Sequence, residues 1–117
     1  MDQNELKTRT KQFALRILTL TAALPKTVEA KVVQNQLARA GTSVAANYRV
    51  SCKARSKAEF ISKISIVIEE ADESCFWMEL IIEGSMLSEV KVAALLKEAN
   101  ELTAIMTASR KTAQSTK

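Results

Sequence analysis

The sequence predicts an all-α fold, an antiparallel up-down-up-down four-helix bundle, on three observations. Apolar residues recur in alternating steps of three and four along four separate stretches. Two glycines and one proline in 117 residues leave too little turn chemistry for an all-β fold. The breaks between the stretches are short, and short connections make successive helices antiparallel neighbours. A hydrophobic content of 47% supplies a core and argues against wholesale disorder.

The first helix is expected over about 4–23. Leu6, Thr10, Phe13, Ile17, Leu20 and Leu24 make its seam, and Pro25 ends it by pushing the preceding residue out of helical space. The second spans about 27–54, with Val33, Leu37, Ala40, Val44, Tyr48 and Ser51 on one side. Gly41 interrupts it in composition only. The pattern before it continues in phase after it, so the glycine reads as a site where another helix comes close.

The third helix, about 57–83, opens on Ser56-Lys57-Ala58-Glu59, a capping box. Phe60, Ile64, Val67, Ala71, Ser74, Met78 and Ile81 form one seam, with Ile61, Ile68, Cys75 and Ile82 beside it. Gly84 is a natural stop. The fourth, about 89–109, follows the N-cap candidate Ser88 and carries Val92, Leu95, Ala99, Leu102 and Met106. Residues 1–109 thus make a single domain, and 110–117 (R K T A Q S T K) read as a flexible polar tail.

Charge is divided unevenly along the chain. Residues 1–63 carry 12 Lys and Arg against 4 Asp and Glu. Residues 64–109 carry 2 against 9, and the last eight residues add three cations. Solvated helix faces would account for this, as would a basic surface for an anionic polymer. No apolar run approaches the roughly 20 residues a spanning helix needs. The start, M D Q N E L K, lacks the basic-then-apolar order of a secretory signal, and two cysteines make no disulfide framework. Cytoplasmic residence is expected, with no membrane partner.

The residue types argue against an enzyme. There is no histidine, hence no Ser-His or Cys-His dyad and no Glu-x-x-His metal motif. The segment G T S V A A N lacks the second glycine and the lysine of a phosphate loop. Glu69, Glu70, Asp72 and Glu73 are the only dense carboxylate cluster, leaving at most an oxygen-only magnesium site for a metal-dependent hydrolase. Cys52 and Cys75 read as packing residues. Neither a metal nor a cofactor is expected.

Arg39, Ser43 and Asn47 lie four residues apart along one shoulder of the second helix's apolar face. Half-buried polar groups there need partners. They fit a polar network that fixes register, in which Arg39 or Arg49 pairs with Glu70 or Glu73 of the third helix. They also fit a polar groove that contacts a ligand.

Several segments carry a family resemblance. They are R T K Q F A L R I L T L at 9–20, L P K at 24–26 and Q L A R A G T S V A A N Y R at 36–49, then A R S K A E F I S K I S I at 54–66 and E E A D E S C F W M E L I at 69–81. In order and spacing they resemble the four-helix-bundle proteins encoded in intervening sequences of bacterial 23S rRNA genes. The resemblance covers about residues 6–105. The family often has an acidic residue where Val50 stands, so a salt bridge from that position is absent here. The resemblance implies a bundle that assembles into a ring, typically a homopentamer, with no established enzyme activity. Its architecture is also similar to the accessory variability protein of diversity-generating retroelements, a basic ring that binds nucleic acid and a reverse transcriptase.

The function expected is therefore non-enzymatic. A homo-oligomeric helical protein would bind RNA or another nucleic acid through Lys7, Arg9, Lys11, Arg16, Lys53, Arg55 and Lys57. Arg39, Ser43, Asn47, Arg49, Glu70 and Glu73 would form the polar network or an interface. The alternative is a protein-interaction scaffold, whose basic half docks the acidic half of a neighbouring subunit, or which holds a second protein, without touching nucleic acid.

Overall fold

The computed structural model describes residues 1–116. Four helices follow one another: α1 (Gln3–Ala22), α2 (Val28–Cys52), α3 (Lys57–Glu83) and α4 (Glu89–Ser115). Each packs against the next, and α4 returns to α1 through the smallest of the contacts. The result is an up-down four-helix rod of 50 × 20 × 20 Å.

Local chemistry sets most of the helix starts. The Asp2 carboxylate accepts from the Glu5 amide at 2.8 Å, and the Thr27 hydroxyl accepts from the Ala30 amide at 3.1 Å. At α3 the Ser56 hydroxyl accepts from the Glu59 amide at 3.1 Å. Each pairing satisfies an amide that has no partner within its own helix. The cap draws the Asp2 carboxyl below its usual range. Ser88 caps α4 by position, without a side-chain bond.

The α3 stop falls at Gly84 as expected. Gly84 is the last capping residue with an ordinary negative φ, and the left-handed position falls on Ser85, φ 56°. The Met86 amide donates to the Ile81 carbonyl and the Ser85 amide to the Ile82 carbonyl. This is the paired closure of a Schellman turn.

The core is built from the expected seams. Phe13, Ile17, Leu37, Val44, Ile64, Met78, Ile81, Leu102 and Met106 are all fully enclosed. Gly41 sits where α1 crosses α2. A Cβ there would lie 2.6 Å from Ile17 Cγ1 and 2.9 Å from Ile17 Cβ, inside van der Waals contact. The helix runs through the glycine unbroken.

The expected end of α4 at 109 is corrected. The helix continues to Ser115. Arg110 reaches across to α3, donating from Nη1 to Ser65 Oγ at 3.2 Å, so the added turns begin anchored to the bundle. Lys117 lies outside the described residues.

Candidate nucleic-acid interface

Topology decides where the cations meet. An up-down rod brings the start of α1, the end of α2, the start of α3 and the end of α4 to one end. Met1 and Leu6 share an apolar cleft there with Phe60 of α3 and Ile105 and Ala108 of α4. On the α1–α2 side of this end, Lys7, Thr8, Lys11, Arg49 and Lys53 line a second cleft of about 340 Å³. Lys11, Arg49 and Lys53 are exposed and Lys7 is half-buried. None of the four is ion-paired among the described residues. Arg55 and Lys57, both exposed, follow on the α2–α3 turn, and Arg110 and Lys111 close α4 at the same end.

Arg9 and Arg16 stand apart from this cluster. Seven residues apart, they share the α1 flank that looks toward α4. Arg9 donates from Nε and Nη2 to the two carboxylate oxygens of Glu98 at 2.7 and 2.6 Å, a two-pronged pair across the α1–α4 seam. Glu101 adds charge at 3.9 Å. These carboxylates hold the Arg9 guanidinium above its ordinary pKa. Arg16 is exposed and outside the cleft.

The other flank of α2 holds the polar shoulder. Arg39 donates to Glu73 at 2.7 Å and lies 3.6 Å from Glu70 Oε2. The longer distance allows charge attraction but is too great for a hydrogen bond. Glu70 Oε2 is enclosed and has no hydrogen-bond partner. Burial raises the Glu70 pKa, Arg39 pulls it back, and Glu73 and Glu69 add to the rise. Asn47 does not reach α3. Its amide donates to the Ser43 backbone carbonyl at 2.9 Å, within α2. Arg49 lies on the opposite flank from Arg39, in the basic cleft. A wheel of α2 separates the two arginines, but only the position of α1 shows which cations Arg49 joins.

A second surface was not apparent from the apolar seams alone. On α3, Glu69, Asp72, Phe76, Glu79 and Glu83 follow one another in steps of three and four, all exposed. Phe76, half in solvent, meets Trp77 edge-on with ring centroids 4.9 Å apart. The Trp77 indole N–H is enclosed without a partner. The signal was present in the sequence as an aromatic ring at the centre of an acidic stripe.

Among the described residues, no three His, Cys, Asp or Glu side chains come together to hold a metal ion. Burial pushes the Cys75 thiol up to about 11, which leaves it protonated at neutral pH. No helix among these residues is long and apolar enough to cross a membrane.

The model of the 23S rRNA-intervening sequence protein family matches residues 2–108. The chain belongs to this family. Its fold is also that of a solved structure, a protein of unknown function from the S23 ribosomal protein family of Bacteroides thetaiotaomicron. The two are 31% identical with a TM-score of 0.85, over 95% of this chain and 99% of the other. A comparison with curated proteins gives no match. The family is one of unknown function, so membership secures the bundle and leaves the activity to be argued from its surfaces.

Proposed function

We propose that this member of the 23S rRNA-intervening sequence protein family is a non-enzymatic, ring-forming cytoplasmic protein that binds RNA or another nucleic acid through its cationic end. The observation that carries the reading is the α1–α2 cleft, where Lys7, Lys11, Arg49 and Lys53 converge with no ion-paired carboxylate among the described residues. Like charges are not gathered this way for stability, since they repel one another. A polyanion relieves that repulsion and releases its condensed counterions. Arg55 and Lys57 extend the surface and Arg9 does not, because Glu98 already neutralises it.

One subunit offers few phosphate contacts. A ring repeats them, and linked weak contacts gain strongly in avidity. Phosphate contacts position a nucleic acid without reading its bases, so binding is expected to be tolerant of sequence. The test is native mass determination together with titration of a labelled single-stranded RNA at low salt. An oligomer that binds RNA supports the reading. An oligomer that does not bind supports the scaffold alternative, which the exposed Phe76 on its acidic stripe favours.

A further inference from the structure

We propose that the apolar cleft at the cationic end takes one unstacked base of a single-stranded nucleic acid, which is then held by its phosphates on the lysines and by that base against Phe60. The inference rests on the nucleic-acid reading above and deepens it, from a strand held by charge alone to one held by a base as well. Helix register explains why the cleft exists. Arg9 meets Glu98 across the α1–α4 seam, and in this antiparallel register α1 begins near Ile105. The last turns of α4, to Ser115, run on past it. The space beside them is a cleft of about 580 Å³, lined by Met1, Leu6, Phe60, Ile105, Ala108 and Ala113. Small-molecule sites span about 300–1,000 Å³. Phe60 packs against the core and stays half-buried, with the rest of its ring open to the cleft. Ser109 and Thr112 add hydroxyls to the lining.

Charge identifies the occupant. An apolar cleft alone would suit any greasy group, but this one is flanked by cations. Lys57 stands one turn before Phe60 on α3, Lys7 follows Leu6 on α1, and Lys111 lies between Ser109 and Thr112 on α4. None of the three is ion-paired among the described residues. The carboxylates of this end, Asp2, Glu5 and Glu59, are not part of the cleft lining. Lys7 also lines the α1–α2 cleft, so the two clefts are continuous across the start of α1. A backbone laid along these cations passes the mouth of the apolar cleft. An unstacked base is apolar on its faces and polar at its edge, which matches aromatic and aliphatic walls beside two hydroxyls. Stacking of this kind accepts any base, in keeping with sequence-tolerant binding. Paired bases stay in their stack, so a duplex gains nothing from the cleft.

The experiment titrates three RNA probes of equal length at low salt: an oligouridylate, an abasic strand with the same phosphates and no bases, and a duplex. The proteins are wild type, Phe60→Leu, which keeps an apolar core contact and removes the ring, and Ala108→Leu, which fills the cleft from an exposed position. Far-UV circular dichroism confirms the helical fold and native mass reads assembly. Wild type is expected to bind the oligouridylate about tenfold more tightly than the abasic strand, the value of one base stack. Both variants are expected to lose that tenfold while holding the abasic strand and the duplex as wild type does. Equal wild-type affinity for the oligouridylate and the abasic strand overturns the base site and leaves the electrostatic reading standing. Either variant keeping the preference also overturns it. A variant whose assembly mass changes places the cleft between copies of the chain and overturns it too. A wild type that binds none of the probes overturns the electrostatic reading and this inference with it.

Discussion

The two flanks of α2 carry similar cations and meet opposite fates. Toward α3, Arg39 finds Glu73 at 2.7 Å and Glu70 at 3.6 Å. Toward α1, Arg49 and Lys53 share a cleft with Lys7, Thr8 and Lys11 and form no ion pair among the described residues. Whether a basic residue is spent on the fold or left for a partner is therefore decided by the helix across the groove, not by its own neighbours in sequence. One flank carries an ion pair between helices, and on the other flank the cations are unpaired among the described residues.

The largest effect expected from breaking this contrast is on binding. Replacing Lys7, Arg49 and Lys53 together by Gln should weaken single-stranded RNA binding about 100-fold near 0.1 M salt, at roughly 0.7 log units per lost contact. Arg39→Gln, measured in the same titration, should leave the affinity unchanged. Equal losses from the two variants would erase the distinction between the flanks.

Gly41 lets α2 approach α1 closely at Ile17. Alanine gains about 1 kcal/mol in helix propensity, but forcing a methyl into a packed contact costs about 1–3 kcal/mol. Ile17 is fully enclosed and has nowhere to move. Gly41→Ala should therefore lower unfolding free energy in urea, by up to about 2 kcal/mol once the propensity gain of about 1 kcal/mol is set against that cost. A stabilised variant would mean that α1 slides instead of clashing.

Smaller effects belong to the paired arginines. Arg9→Gln removes the two-pronged bond to Glu98, the ion pair that spans the weakest helix contact. It should cost about 1 kcal/mol in the same urea assay. Arg39→Gln should cost less, about 0.5 kcal/mol, because Arg39 is 56% exposed and well screened.

The smallest effect is a pH dependence. Burial raises the Glu70 pKa in the folded state, so the folded protein holds this proton more tightly than the unfolded chain does. Stability should fall as pH rises through the window between the ordinary carboxylate value and the raised one. It should recover as pH falls back through that window. In Glu70→Gln this component should vanish from a urea midpoint measured against pH, while the rest of the profile stays.

The fold was legible because its signals are local and periodic. The α1 seam of Leu6, Thr10, Phe13, Ile17, Leu20 and Leu24 needs no knowledge of its neighbours, and every one of those residues is buried. Thr27 and Ser56 carry their caps in their own side chains. The end of α4 was not legible. The polar string after Ser109 reads as a tail until Arg110 is seen to reach Ser65 on α3. Gly84 marked the stop of α3, but the left-handed residue that closes the turn onto Ile81 and Ile82 is Ser85, which composition does not single out.

The candidate site was legible in composition and only partly in place. Lys7, Lys11 and Lys53 come together in the cleft, and Arg49 joins them there. Arg9 looked equivalent to Lys7 and Lys11 in sequence. It differs because α4 presents Glu98 to it, a pairing 89 residues away that no local pattern reports. Arg39 turned to α3 and Arg49 to α1 for the same kind of reason.

The most direct measurement is the affinity of the wild-type protein for a labelled single-stranded RNA at 50 and 200 mM salt. With six phosphate contacts supplied by open cationic ends, affinity should drop about 300-fold across that range, at roughly 0.7 per contact in the salt slope for a single strand. An affinity that stays level, or RNA that fails to bind at the lower salt, would contradict the claim that these cations are left free for a polyanion.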